Sequence, residues 1–499
     1  MGVWGQPDAL CRRIDVWTRV TGALARMAPE PPRVSVIIPT HNRRDLLRAA
    51  IDSVLAQTYP DVEIIVVDDG STDDTTTAMA QYAGRVVYLK QINQDVAAAR
   101  NTGIRAATGA YLTFLDDDDL MLPTKIERQV QLLAAHPDAG LVHCRFYHVD
   151  SDGNVIDKIG VLPEGQVLRP LLCRNFVWMG APLVRRQCLD QVGLFDEQIP
   201  ATCADWDMWL RIAQAGYPFA CVQEPLGSYR VQQDSMLAKV DELESAVLAV
   251  LHKVYTNPYC PVDALAVKAQ AYGSWLFWIS CRYHAARRWD DAQRNLIKAL
   301  DVYPEMLENR AEFLDTLCSE AFDVRVDDPF SFVDGFLEHL PPAARPTIRP
   351  WHSCLISQVH TGLALRNYAC DEIAAARAQL AAAIAAYPPM LEQGDDFASI
   401  LSTYAMSLPG TPHPYVAKVF RNLPPQAQRL RHARSRVLSD VNIGCAFEDY
   451  FADRRRLAAR RILSALCQRP SWIRNKGVVS VLAKSLPKLL IGEQTADDR

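Results

Sequence analysis

The chain has 499 residues, 49% of them hydrophobic and 22% charged, with a formal net charge of −5. That length is too great for one ordinary core and implies two or three domains. The charge excludes a general pull toward nucleic acid or an anionic membrane, so the basic runs Arg454-Arg455-Arg456 and Arg460-Arg461 read as solvated helix faces.

Thirteen cysteines occur without CxxC pairs or regular spacing, which excludes a disulfide framework and a zinc ribbon and fits reduced thiols. Residues 1–30 carry Asp8, Arg12, Arg13 and Asp15 and no apolar core, unlike a signal peptide. The apolar run at 275–279 falls far short of the ~20 residues that a membrane span needs. A cytoplasmic location is expected, with peripheral contact at the inner face of a membrane left open.

From residue 33 to about 150, strand and helix patterns alternate. Residues 34–39 form an apolar run ended by a proline, read as a buried strand, and 45–57 has helical spacing through Leu46, Leu47, Ala50, Ile51 and Val54. Residues 62–67 make a second strand, 68–71 a turn, and 72–82 a second helix. Residues 86–89 are a third strand, 96–107 a helix ending at Gly109, and 111–115 a fourth strand. This alternation predicts an α/β fold, a mostly parallel sheet with helices on both faces. Ligands of such sheets bind at the carboxyl ends of the strands. There stand Thr40-His41-Asn42, Asp68-Asp69 and the four carboxylates Asp116–Asp119.

Beyond about residue 241, strand patterns vanish and helical periodicity takes over. Ala292, Leu296, Ala299 and Pro304 share their spacing with Ala376, Leu380, Ala383 and Pro388, and with Ala458, Ile462, Ala465 and Pro470. These offsets resemble the second half of a tetratricopeptide repeat, in which small residues let two helices approach closely. The spacing of about 83 residues is not a multiple of 34, so the array is read as a degenerate helical repeat. The organisation expected is an N-terminal extension at 1–32, a catalytic α/β domain at 33–238 and an all-α repeat domain at 239–499. The repeat domain is expected to bind an acceptor or a protein partner and to take no part in the chemical step. The apolar-rich stretch 478–491, with Lys484 and Lys488, is expected to cap the array, the alternatives being docking on the catalytic domain and contact with a membrane surface.

Each acidic cluster is ambiguous alone. Four adjacent carboxylates at a strand end can hold a hard divalent cation or form a solvated turn. Asp68-Asp69-Gly70-Ser71 can accept bonds from a base or ribose, or merely start a helix. Asp205, opening the helix DWDMWLR, can be a general base or a cap. Taken in order, VSVIIPTHN (34–42), VVDDGSTD (66–73), ARNTG (99–103), GAYLTFLDDDD (109–119), VGLFDE (192–197) and DWDMWLR (205–211) resemble the family 2 glycosyltransferases.

That resemblance implies a GT-A fold, a nucleotide-diphosphate sugar donor, a saccharide, lipid-linked or protein acceptor, and inversion at the anomeric carbon. It sets Pro39 and Thr40 against the nucleotide, Asp69 on the base, and Arg100 toward the nucleotide or its diphosphate. Asp116, Asp117 and Asp118 fill the DXD region, with Asp117 near the ribose and Asp118 as ligand of Mg²⁺ or Mn²⁺. Asp205 takes the position of the catalytic base. Two departures stand out: Ala204 precedes the base where many members have Glu, and Gln232 and Gln233 follow Tyr229-Arg230 where many have His. The Gln-x-x-Arg-Trp signature of processive synthases is absent, which favours one sugar per encounter. The competing reading is a degenerate transferase serving as a scaffold through its helices. A nucleotidyltransferase lacks the Gly-rich, Lys-bearing phosphate loop that it would need.

Overall fold

The computed structural model describes residues 31–231, 239–323, 325–451 and 454–490. Most of the expected N-terminal extension, Gln232 and Gln233, the boundary at 238 and the end of the 478–491 stretch lie outside the described residues.

Nine strands form one mixed sheet among the described residues: β1 (Val34–Thr40), β2 (Val62–Asp69), β3 (Val86–Gln91), β4 (Tyr111–Phe114), β5 (Leu120–Met121), β6 (Leu141–Val149), β7 (Val155–Lys158), β8 (Leu183–Arg185) and β9 (Phe219–Arg230). The order is β3-β2-β1-β4-β8-β6-β9-β5, with β7 beside β6. The first four strands are parallel, β1, β2 and β4 being buried apolar runs and β3 the partly exposed edge. The rest bring in antiparallel pairs: β4 with β8, β6 with β8 and β7, and β5 with β9. The sheet is therefore less uniformly parallel than the alternating first segment suggests.

In-register pairing sets Thr40 beside Asp68, so the ends of β1 and β2 stop at one level. The helix Val96–Ala106 lies close over β1 because position 103 is glycine: a Cβ there would stand 2.4 Å from Ile37 Cγ2. That approach brings Arg100, one helical turn earlier, over the end of the sheet.

The remaining chain is helical. Three pairs of long helices recur: Lys268–Ala285 with Trp289–Val302, His352–Ala369 with Ile373–Ala386, and Arg434–Phe451 with Arg455–Gln468. All nine Ala, Leu and Ile positions of the repeated pattern are buried. The first helices match as well. Gly273, Ser357 and Ser439, and Ser280, Ala364 and Ala446, are small residues at the same 84- and 82-residue spacings. A Cβ at 273 would meet Tyr303 Cβ at 2.4 Å, so helix contact sets these residue sizes. The tight turns of the first two pairs place Arg287 and Asp371, five residues before the first alanine of each pattern, at positive φ.

One cluster of buried residues runs from Val34 through Trp209 and on to Val250, Trp275 and Ala292. The sheet and the first helices beyond residue 239 thus share a core. Trp206 and Trp275 have ring centroids 4.5 Å apart, and Trp275 Nε1 donates to the Leu172 carbonyl at 2.8 Å. The helix Arg434–Phe451 returns to the sheet, where Glu448 pairs with buried Arg145 of β6 at 2.6 Å and Lys158 of β7 at 3.5 Å. No helix among the described residues is long and apolar enough to cross a membrane. The described cysteines are free thiols.

Candidate active site

The carboxyl ends of β1, β2 and β4 converge on one cleft. After β1, Thr40 is buried and donates from Oγ1 to Asp117 Oδ2 at 2.7 Å. Asn42 holds φ at 54°, and its side-chain oxygen accepts from the Thr72 N–H at 2.8 Å, tying this turn to the next. After β2, the Asp69 carboxylate is capped by Gln91 Nε2 at 2.8 Å and the Gln94 N–H at 3.0 Å. Its neighbour Asp68 is fully buried and accepts from the Ser71 N–H, Tyr88 and Lys90, a load-carrying role within the fold.

The four carboxylates after β4 divide. Asp119 points inward, accepting from Trp178 Nε1 at 3.0 Å and from the Arg230 N–H at 2.8 Å. Burial and the adjacent acids push it well above the usual carboxylate range. It anchors the loop. Asp117 is 6% exposed, and burial raises it to about 6 against the opposing pull of Thr40 and Arg43. Asp118 meets Arg43 Nη1 at 2.8 Å and is raised by burial and by the charge of Asp116. Asp116, the most exposed of the cleft acids, pairs with Arg100 Nη2 at 2.6 Å.

Arg100 is itself 3% exposed, packs against the Phe195 ring, and has an Nε with no hydrogen-bond partner. A buried guanidinium with a spare donor is costly unless something else bonds it.

Asp205 stands in the first turn of the helix Ala204–Gln214. Its Oδ1 accepts from the Trp206 N–H at 2.6 Å, and its Oδ2 from Asn175 Nδ2 at 3.3 Å. Burial raises its pKa to about 6, Arg100 opposes that rise, and Asp116 adds to it. The fold therefore brings Thr40, Arg100, Asp116, Asp117, Asp118 and Asp205 to one end of the sheet. Pro39 precedes Thr40 in β1, and Asp69 ends β2 on the same side.

Several residues of this cleft were not read from sequence. Arg43 grips two of the acids, and its only signal was its place after Thr40-His41-Asn42. Arg230 Nε donates to the Asp118 carbonyl at 3.1 Å, and Asn175 supports Asp205.

Among the described residues no three His, Cys, Asp or Glu side chains are disposed to hold a metal ion. Asp116 and Asp118 nevertheless raise a mutual repulsion at the cleft's more open edge. Two carboxylates fit a divalent cation that takes its other ligands from a bound diphosphate, rather than a cage built of protein groups.

The site is thus a set of acidic strand ends on a mixed α/β sheet, with a carboxylate-led helix at the same end. Glycosyl transferase family 2 matches residues 35–175. TuaG of Bacillus subtilis (strain 168), a glycosyltransferase named for teichuronic acid biosynthesis, is 32% identical over 212 residues, 41% of this chain and 81% of TuaG. An uncharacterized glycosyltransferase of Rickettsia felis is 35% identical over 190 residues, 36% of this chain. The chain spans 27% to 58% of the lengths of the Rickettsia relatives it matches. Among solved structures, the mannosyltransferase PcManGT from Pyrobaculum calidifontis in complex with GDP-Man and Mn²⁺ is 21% identical, covering 65% of this chain and 94% of that one, with a TM-score of 0.41. The chain belongs to glycosyl transferase family 2, a GT-A-type α/β fold followed by a helical region.

Proposed function

We propose that the protein transfers one sugar per encounter from a nucleotide-diphosphate sugar to an acceptor hydroxyl, with inversion, in the synthesis of a cell-envelope polysaccharide or glycoconjugate. The observation that carries this reading is the meeting of Arg100, Asp116 and Asp205 at the carboxyl ends of the parallel strands.

In this reading Pro39, Thr40 and Asp69 hold the nucleotide, Asp69 taking the base and Asp117 lying near the ribose. The spare Nε–H of Arg100 donates to a diphosphate oxygen, which gives that one nitrogen a partner beside the Asp116 pair. Asp118, with Asp116, would hold Mg²⁺ or Mn²⁺ against the diphosphate. When bound, such a cation supplies Lewis-acid stabilisation of the leaving oxygens. Asp205 takes the proton from the acceptor hydroxyl as that oxygen attacks the anomeric carbon. Its pKa of about 6 leaves it ionised at neutral pH yet basic enough to accept a proton. One base and one displacement give inversion.

In this proposal the catalytic residues lie within 33–238, whose core the first helices beyond 239 complete, and the tetratricopeptide-like region at 239–499 receives a saccharide, lipid-linked or protein acceptor. The three helix pairs and their matched small residues support the second part. The name of the relative TuaG supports the envelope setting.

Asp205→Asn tests the central claim. The change preserves volume and removes the proton acceptor, so donor hydrolysis and transfer should fall by at least about 10²-fold while donor binding persists. Retention of more than about a tenth of wild-type turnover removes Asp205 from the role.

A further inference from the structure

We infer that Lys253, a residue of the helical region, is a positioning residue for the catalytic helix. The inference rests on the reading of Asp205 as the base.

The helix Ala204–Gln214 begins at Cys203, which makes no side-chain cap bond. Its first-turn donors are met locally instead, the Ala204 N–H by the Ala201 carbonyl and the Trp206 N–H by Asp205 itself. Asp205 sits in that turn. Asn175 bonds Asp205 directly, and the turn is also held from the other side of the helix, through the next two residues. Trp206 packs on Trp275 and donates from Nε1 to the Leu171 carbonyl at 2.8 Å. Asp207, 2% exposed, is gripped by Lys253 Nζ at 2.7 Å and by Arg211 Nε at 2.9 Å.

Lys253 makes a second contact of 2.7 Å, to Asp196. Asp196 follows Phe195, whose ring packs against Arg100 and whose backbone is bonded on both sides by Asn101. One ammonium group thus ties the turn carrying Asp205 to the segment behind Arg100. Its own helix, Val240–Thr256, is the first element of the helical region. A near-attack geometry lost by about 1 Å can cost about 10²-fold in rate. A cation bridging two backbone segments of the site acts on that quantity rather than on donor affinity.

The test uses the full-length chain and donor hydrolysis, which needs no acceptor. UDP-N-acetylglucosamine, UDP-glucose and GDP-mannose are supplied with Mn²⁺, and the fastest donor is carried forward. Lys253→Gln should lower kcat by about tenfold or more with donor KM within about twofold. Lys253→Arg, which keeps the charge, should restore most of the loss. Should Lys253→Gln fail to fold because buried Asp207 keeps only Arg211 as its partner, the double variant K253Q/D207N removes that buried charge as well and carries the same test.

A folded variant lacking the Lys253 charge that keeps kcat within twofold overturns the proposal. So does a loss that Lys253→Arg does not repair, which marks a purely structural contact. Asp205→Asn is measured alongside. If it is inactive while Lys253→Gln is not, only the positioning role fails. If Asp205→Asn stays active, or the wild-type chain hydrolyses none of the donors, the underlying reading fails and this one with it.

Discussion

Arg100 Nη2 lies 2.6 Å from Asp116 Oδ1, and the same guanidinium acts electrostatically on Asp205. One buried cation therefore pairs with one acid of the cleft and biases the ionisation of another. Its charge favours the ionised form of Asp205, so removing it should raise that group further. In Arg100→Met the acid limb of the pH-rate profile should move to higher pH by at least about half a unit, and donor KM should rise about tenfold or more, the scale of a lost charge-assisted bond. An unmoved limb would show that Arg100 does not reach the base.

The wild-type profile has its own signature. Asp205 must be ionised to accept a proton, so donor hydrolysis should fall below a pH near 6, about tenfold per unit. The stability consequence has the opposite sense to that of an ordinary salt-bridged acid. The folded-state pKa of about 6 lies above the ordinary aspartate value of about 4, so folding retains a proton through that window. The contribution to stability is full below about pH 4 and is lost as pH rises through about 6. Asp205→Asn, neutral throughout, should flatten that part of the curve and raise the melting midpoint at pH 7. A midpoint that falls at pH 7 would mean that the carboxylate is stabilising as an anion.

The sequence exposed the parallel half of the sheet because its strands are uninterrupted apolar runs ending in polar clusters. It hid the mixed half for a physical reason. β6 carries His143 and Arg145 fully buried in its middle, and β9 carries buried Gln223. Each finds a backbone carbonyl: His143 that of Pro163, Arg145 those of Ile159 and Gln223, and Gln223 that of Leu162, with Glu448 adding a carboxylate to Arg145. Polar residues that find such partners erase the alternation on which strand recognition depends. The repeat showed its second helices through Ala and Leu. The matching first helices are harder to read in the later copies, because positions such as Gly273, Ser357 and Ser439 share only small size. Contacts such as Lys253 with Asp207 join distant segments and leave no local pattern at all.

The acidic loop gives a prediction about metal. Asp116 and Asp118 repel each other at the open edge of the cleft, and a diphosphate would add more negative charge. Chelation, or Asp118→Ala, should therefore weaken UDP or GDP binding at least about tenfold and leave binding of the free nucleoside within about twofold. Calorimetric titration with and without EDTA measures both. Equal nucleotide affinity in the two conditions would rule out a cation shared with the diphosphate.

The shared core makes the strongest claim about the whole chain. Val240, Leu243, Val247, Val250, Leu251, Val254, Ala271, Trp275 and Ile279 belong to the same buried cluster as Trp206 and Trp209. Removing one large core side chain typically costs about 2–5 kcal/mol, and a whole domain is stable by only about 5–15 kcal/mol. A chain ending near Ala238 should therefore lack a cooperative unfolding transition and donor hydrolysis together, although every motif of the family lies within it. A chain ending near Asn309 keeps the first helix pair, with Trp275 against Trp206 and Lys253 against Asp207, and should keep a folded sheet. Its newly bared face, around Leu276, Phe277 and Leu296, will limit solubility, because those residues pack against the next helices in the full chain. Differential scanning calorimetry of the two truncations, with hydrolysis assayed below each transition, decides the matter. Should the shorter chain melt cooperatively and hydrolyse donor at the full-length rate, the helices after 239 would be an appendage, and their side chains in the core would be dispensable to the active site.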